Sequence, residues 1–229
     1  MMNNTYCPLC QSLRLRFLYE RPRNVKETFD GSGRQYWLCA DCRLIFLPVA
    51  FHLDAASEKK RYDCHHNHPG DQGYVNFLKK LADPLLEKLT TGDEGLDFGC
   101  GPGPTLSGML RQRGFPVADY DPIYFPAPEL LRSRYDFVTA SEVVEHFRDP
   151  RAEFTRLKQL VREDGGFLAV MTKMWRAEED FSNWYYMREP SHVCFYQKET
   201  FQHIARWLNW RVEFPCDDVA IYQTRGTQS

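Results

Sequence analysis

The chain has 229 residues, which is enough for one α/β domain and a small additional unit. Hydrophobic residues make up 43% of the chain and charged residues 26%, proportions that are ordinary for a globular protein. The net charge of −2 gives no electrostatic indication of a nucleic-acid binder. No apolar run approaches the roughly 20 residues that span a bilayer, and the polar N-terminus lacks the apolar core of a signal peptide. We therefore expect a cytoplasmic protein that does not bind membranes.

Two C-x-x-C pairs, Cys7/Cys10 and Cys39/Cys42, lie in the first part of the chain. Alternating apolar residues and a turn signal separate the pairs, as in a hairpin. Two such pairs can offer four thiolates to one tetrahedral zinc ion. In a chain without an export signal, cysteine pairs of this kind indicate a metal rather than disulfides. The pattern resembles a zinc ribbon, and we predict one over residues 1–50 with a structural zinc; reduced cysteines without a metal are the alternative.

Residues 51–71 are predicted to form a connector, and this segment contains a run rich in histidine. Three interpretations stay open for it. A second metal site is one, although the spacing fits no standard zinc signature. A flap over an active site is another, with Tyr62 against a cofactor and His65 and Asn67 against a substrate. The third is a surface loop with no chemical role.

A glycine-rich stretch follows, at residues 95–104, with the sequence Gly-Leu-Asp-Phe-Gly-Cys-Gly-Pro-Gly-Pro. It is predicted to be a short buried strand that runs into a tight turn, and residues 105–113 have the apolar spacing of a helix. Glycine lets the backbone turn sharply and approach a ligand closely. A strand, a glycine turn and a helix in this order are typical of a nucleotide-type site.

The run Leu-Asp-Phe-Gly-Cys-Gly-Pro-Gly resembles motif I of the class I S-adenosylmethionine (SAM)-dependent methyltransferases. The resemblance implies a Rossmann-like α/β sheet over residues 72–229, with amides of the turn against the cofactor. It also implies that Asp97 helps to hold the cofactor's ammonium group and that Tyr74 touches the cofactor pocket. The residues of this motif implied to bind the cofactor are Asp97, Gly99, Cys100, Gly101 and Gly103.

A second apolar strand ends in Asp119-Tyr-Asp121-Pro122. In the resembled family a carboxylate at this point accepts both ribose hydroxyls, because its two oxygens suit a diol. Asp119 and Asp121 are both candidates, and we favour Asp121, followed by Pro122, because the family's acid usually closes the strand. Its distance from the glycine turn, about 20 residues, fits the general rule for nucleotide folds.

Residues 122–134 separate this strand from the next one. The segment is too short for the helix and strand that the resembled family has here. We therefore predict a sheet that lacks its usual edge strand.

Residues 135–150 form a second segment that resembles the family, with a strand followed by Ser-Glu, two valines, Glu-His and later Asp-Pro. The resemblance implies that Ser141 and Glu142 line the cofactor pocket. His146 is either a general base or an orienting or packing residue, and both interpretations stay open.

Aromatic residues are frequent in residues 173–196, after the fifth strand. In many members of the resembled family this segment forms the acceptor pocket, which implies substrate contacts from Trp184, Tyr186 and Tyr196. A neutral imidazole at His192 could take a proton from the acceptor. The alternative is a hydrophobic cover with His192 hydrogen-bonded inside it.

We therefore predict a SAM-dependent methyltransferase whose acceptor is a small molecule of the quinone, sugar or metabolite type, with SAM as cofactor and one structural zinc. An RNA methyltransferase that docks RNA through the ribbon is one alternative, and the near-neutral charge counts against it. A non-catalytic zinc-ribbon adaptor is the other alternative. The intact glycine turn and Asp121 count against an adaptor.

Overall fold

The structure is a computed structural model that describes residues 6–21, 33–63 and 70–226. Within these ranges the chain forms ten strands and five α-helices. In chain order these elements are β1 (Leu15–Arg21), β2 (Arg34–Cys39), β3 (Ile45–Phe46), α1 (Ala55–Tyr62), α2 (Gln72–Leu86), β4 (Gly95–Phe98), α3 (Thr105–Gln112), β5 (Val117–Tyr120), β6 (Phe137–Ser141), α4 (Pro150–Leu160), β7 (Phe167–Met171), β8 (Cys194–Phe195), α5 (Lys198–Leu208), β9 (Arg211–Cys216) and β10 (Val219–Gln223).

The larger sheet has six strands in the order β5-β4-β6-β7-β10-β9. The first four strands run parallel, whereas β10 is antiparallel to both β7 and β9. All four residues of β4 are buried, as expected for a parallel strand that is covered on both faces. The predicted Rossmann-like α/β sheet is confirmed.

The segment between β5 and β6 contains an isolated bridge from Asp121 to Phe125, a short 3₁₀ helix at Pro128–Arg132 and a bridge from Tyr135 to Val161 beside α4. Among the described residues, β5 is therefore an edge of the sheet. A crossover to a further parallel strand needs a dozen or more residues and usually an α-helix. The prediction that the usual edge strand is missing is confirmed.

Helices cover both faces of this sheet. Successive residues of a strand point to opposite faces. Accordingly, Phe137 belongs to the apolar cluster that includes Leu81 of α2 and Leu110 of α3, and its neighbour Val138 belongs to the cluster that includes Phe154 of α4 and Phe201 of α5. The carboxyl ends of the parallel strands meet at one edge, which is where ligands bind in open α/β sheets.

A second, antiparallel sheet has the order β1-β2-β3-β8 and contains the N-terminal unit. Its last strand comes from the segment after β7, because Ile45 pairs with Phe195 and Phe46 pairs with Cys194. The backbone amide of Leu47 extends this contact with a 2.8 Å hydrogen bond to the carbonyl of Val193. The N-terminal unit is thus joined to the main domain by shared strand pairing as well as by the chain itself.

Candidate active site

The glycine turn after β4 has the left-handed backbone that its sequence predicts. Gly99 has φ of +75° and Gly101 has φ of +65°, a region that residues with a Cβ rarely adopt. A Cβ at Gly99 would lie 2.6 Å from Val143, whereas a Cβ at Gly101 would meet nothing within 4 Å among the described residues. Gly99 is therefore required for packing, and Gly101 leaves its backbone open on one side.

Asp121 fixes this turn from the end of the neighbouring strand. One carboxylate oxygen accepts the amide of Gly101 at 3.1 Å, and the other accepts the amides of Ile123 and Tyr124 at 2.8 and 3.0 Å. The alternative candidate, Asp119, turns instead to the guanidinium of Arg111 at 3.0 Å. Of the two acids, Asp121 is the one that lines the cavity described next.

A cavity of about 740 Å³ lies at the carboxyl ends of β4, β5 and β6. Its wall contains the segments that follow β4, β5 and β6, together with parts of α1 and α2. The predicted site residues that line it are Tyr62, Tyr74, Gly99, Cys100, Gly101, Asp121, Pro122, Ser141, Glu142, His146 and His192.

Asp97 lies beneath the glycine turn and is buried. It accepts a 2.6 Å hydrogen bond from the hydroxyl of Thr139. Burial raises the pKa of Asp97 to about 6, against the opposing effect of the Thr139 bond. Like Gly103, it stands outside the set of residues that line the cavity.

Tyr186 joins two carboxylates at the bottom of the cavity. Its hydroxyl donates to Glu145, and it lies 3.3 Å from an oxygen of Glu142 and 3.0 Å from the hydroxyl of Thr172. Burial raises the pKa of Glu142, and the charge of Glu145 adds to the effect. One oxygen each of Glu142 and Glu145 is buried without a hydrogen-bond partner in the part of the chain that the structure describes. This end of the cavity thus concentrates acceptor oxygens.

His146 and His192 lie side by side on the cavity wall, with ring centroids 4.9 Å apart. Nδ1 of His146 is 3.1 Å from the carbonyl oxygen of Ser191, and Nδ1 of His192 is 2.8 Å from that of Tyr186. A carbonyl oxygen only accepts, so in the neutral rings the proton is on Nδ1 and the lone pair is on Nε2. Both rings are therefore held in the tautomer that can accept a proton or bind a metal through Nε2.

Helix α1, which belongs to the segment predicted as a connector or flap, covers one side of the cavity. Its residues Glu58 and Tyr62 line the cavity, and Tyr62 packs edge-on against His146 at 5.2 Å. A guanidinium nitrogen of Arg148 holds Glu58 at 2.8 Å, and Arg61 makes a forked contact with Glu189 at 2.6 to 2.9 Å. The other two residues predicted for the flap, His65 and Asn67, lie outside the described residues.

The aromatic residues predicted to contact the substrate, Trp184, Tyr186 and Tyr196, stand outside the set of residues that line the cavity. The hydroxyl of Tyr196 donates to the carbonyl of Val144 at 3.0 Å, and its ring is fully buried. Trp184 packs against Tyr186 and Phe195, with centroids 5.1 and 6.0 Å away. Tyr186 and Tyr196 are buried and Trp184 is half-buried against the same core, so these rings pack behind the wall rather than form its surface.

Glu145 is a site residue that sequence reasoning left out, although it lies on the cavity wall and is fully buried. The available signal was an acid directly before His146. Neighbouring residues along a chain usually diverge, so the signal was weak. A 3₁₀ turn over Val144–His146 brings both side chains to the same cavity.

The four cysteines of the two C-x-x-C pairs form a cluster outside the cavity, and Arg151 of α4 donates to the carbonyl of Leu9 in the first pair at 3.2 Å. Their sulfur atoms all lie within 4.8 Å of one another, and the pairs Cys7/Cys42 and Cys10/Cys39 are 3.5 Å apart. A tetrahedral zinc with Zn–S bonds of 2.3 Å separates its sulfurs by about 3.8 Å. Both pairs turn alike, since a residue with positive φ follows each: Gln11 in one and Arg43 in the other. The cluster thus has the donor set and the geometry of a structural zinc site.

Among the described residues no helix is long and apolar enough to cross a membrane.

A family model described as a methyltransferase domain matches residues 71–213, which include the glycine turn and the cavity residues from Tyr74 to His192. No curated protein matches the chain.

Several solved structures resemble the chain. An O-methyltransferase family protein from Burkholderia thailandensis is 14% identical with a TM-score of 0.48, over 79% of this chain and 65% of that one. A SAM-dependent methyltransferase, possible histamine N-methyltransferase, from Thermotoga maritima is 14% identical with a TM-score of 0.42, over 74% and 95%. A possible exported protein from Bordetella parapertussis is 14% identical with a TM-score of 0.49, over 77% and 81%.

Proposed function

We propose a small-molecule acceptor for this chain, which belongs to the methyltransferase-domain family and is a SAM-dependent methyltransferase. The observation that carries the proposal is the partly roofed cavity of about 740 Å³. Pockets of this size enclose ligands of the size of drugs and metabolites. The net charge of −2 agrees with an acceptor that is not a polyanion.

The glycine turn and the acids beside it fit SAM. The open space beside Gly101 lets a ligand lie against the backbone. Three backbone amides fix the carboxylate of Asp121, and its Oδ2, which accepts only the Gly101 amide among the described residues, keeps one lone pair for a ribose hydroxyl. Ser141 and Glu142 each offer a buried oxygen that lacks a hydrogen-bond partner among the described residues, which suits polar groups of a ligand. When bound, SAM supplies a methyl group that is already activated on its sulfonium.

The two histidines are proposed to act on the acceptor. Their Nε2 lone pairs can accept a proton from a hydroxyl group placed between them and the cofactor. Tyr62, edge-on to His146, closes this side of the cavity and orients the acceptor. The methyl group is already activated on SAM, so the protein has only to orient the acceptor and to remove its proton.

A structural zinc is proposed for the cluster of Cys7, Cys10, Cys39 and Cys42. Four thiolates complete a tetrahedral shell and leave no position for a substrate. Four thiolates held within 4.8 Å of one another repel, and a divalent cation removes that repulsion. The zinc then braces β3, which pairs with β8 two residues after His192.

Calorimetric titration of the zinc-quantified protein with SAM and with S-adenosylhomocysteine tests the cofactor site. We expect micromolar binding of both, and at least a tenfold loss of affinity in Asp121→Ala. Asp119→Ala is the matched control and should retain affinity, because Asp119 is paired with Arg111. No binding to folded wild-type protein would refute the site.

A radiolabelled-methyl assay then tests the acceptor, with hydroxylated small molecules and RNA offered in parallel. Transfer to at least one small molecule is expected. Transfer to RNA alone would overturn the proposed acceptor class.

A further inference from the structure

We infer that Glu145, His146 and His192 form a binding site for a divalent metal ion at the acceptor end of the cavity. One ligand atom from each residue lies within 4.8 Å of those from the other two. Nitrogen and oxygen ligands about 2.1 Å from one metal are about 3 Å apart when they are adjacent in its coordination shell. Small side-chain rotations would therefore bring these three atoms onto one ion. The catalytic role of the ion rests on the proposed function, but the geometry of the site does not.

The Nδ1 hydrogen bonds of the two histidines are those that metal-binding imidazoles make. Each ring directs Nδ1 to a backbone carbonyl, that of Ser191 for His146 and that of Tyr186 for His192. Metal-ligating histidines almost always donate their other ring N–H in this way, which fixes the tautomer and the ring orientation. Both rings are thus oriented to present Nε2 as a ligand.

Glu145, the third ligand, independently indicates that a cation binds at this position. The side chain of Glu145 is fully buried, and one of its oxygens has no hydrogen-bond partner among the described residues. Its other oxygen shares the hydroxyl of Tyr186 with Glu142, so one proton serves two carboxylates. A buried carboxylate with one oxygen left without a hydrogen bond destabilises the folded state unless a cation compensates its charge. A metal ion bound to Glu145 supplies that charge.

Two imidazoles and one carboxylate favour a first-row divalent ion such as Mn²⁺, Fe²⁺ or Zn²⁺, and leave coordination positions open. Those positions can take oxygens of the acceptor, which favours a compound with a hydroxyl group next to a second oxygen. Binding to the ion lowers the pKa of the hydroxyl, so its proton leaves to solvent at neutral pH. The acceptor oxygen then bonds to the methyl carbon while the carbon–sulfur bond breaks, and the electron pair stays on sulfur. In this arrangement His146 and His192 act as ligands, and the ion takes over their proposed role in proton removal.

Mn²⁺ is the probe that separates this site from the cysteine cluster, because Mn²⁺ prefers oxygen and nitrogen ligands to thiolates. Electron paramagnetic resonance would count free and bound Mn²⁺ in protein whose cysteine cluster is loaded with zinc. We expect one bound Mn²⁺ per chain, and at least tenfold weaker binding in Glu145→Gln and in His146→Ala. His203→Ala is the matched control and should bind as wild type does, since His203 lies on α5, outside the cluster.

Failure of the metal site and failure of the proposed function give different results. If the wild type binds SAM but no Mn²⁺, or if the variants bind Mn²⁺ as well as wild type does, the metal site is refuted and the methyltransferase reaction stands. Because Glu145 is fully buried, Glu145→Gln is to be checked by its melting temperature; His146 is only partly buried, so His146→Ala provides the test if Glu145→Gln does not fold. With an acceptor from the radiolabel screen, added Mn²⁺ should raise turnover of the wild type at least tenfold and leave Glu145→Gln unchanged. Equal turnover of the metal-free and Mn²⁺-loaded wild type would overturn the catalytic role of the ion.

Discussion

Substitution of Gly99 and of Gly101 by alanine should separate stability from ligand binding within one turn. Both residues have positive φ, which costs an alanine about 1 to 2 kcal/mol at either position. At Gly99 the new Cβ would also lie 2.6 and 2.8 Å from the two methyl carbons of Val143 and 3.3 Å from its Cβ. Rotating Val143 cannot clear its own Cβ, so the overlap adds about 1 to 3 kcal/mol.

We therefore expect Gly99→Ala to lower the free energy of unfolding by about 3 kcal/mol and Gly101→Ala by about 1 kcal/mol. Gly101→Ala should instead weaken SAM binding at least tenfold, because its Cβ would point into the space where a ligand approaches the backbone.

Urea unfolding, followed by the fluorescence of the five tryptophans, measures the stability term, and calorimetric titration with SAM measures the binding term. Equal destabilisation by the two substitutions would contradict the role assigned to Val143. Undiminished SAM affinity in Gly101→Ala would show that the cofactor does not approach this backbone.

Two further predictions concern Asp97 and the cysteine cluster. The pKa of Asp97 rises from 3.8 to about 6 on folding, so the native state binds the proton more tightly, and stability falls as pH rises from about 4 to 6. Relative to wild type, Asp97→Asn should gain up to about 3 kcal/mol of unfolding free energy between pH 4 and 7, since each pKa unit is worth about 1.4 kcal/mol; a difference in unfolding free energy independent of pH would contradict this. Cys42→Ser should lose one zinc per chain relative to wild type, measured by elemental analysis, and, because β3 pairs with β8, should also slow methyl transfer. Cys216→Ser, outside the cluster, should change neither, and full activity of zinc-free Cys42→Ser would refute the coupling.

The features that depend on local chemistry or on chain length could be predicted from the sequence. The glycine turn follows from residues that adopt positive φ without a steric cost, and its position after a short apolar strand predicted the cofactor end of the sheet. The missing edge strand follows from chain length, because the segment after Asp121 is too short for a crossover. The cysteine pairs carry their spacing in the sequence, so their convergence on one point was also predictable.

Only the tertiary structure decided how distant segments meet. Strands β3 and β8 have two residues each, which is too short to leave a periodic pattern, yet their pairing joins the N-terminal unit to the main domain. Tyr196, directly after β8, is fully buried, whereas its aromatic character alone suggested a pocket wall. The cluster of Glu145, His146 and His192 depends on another long-range contact, the 2.8 Å hydrogen bond from the amide of Val193 to the carbonyl of Glu145. A sequence records local patterns but not which distant side chains share a cavity.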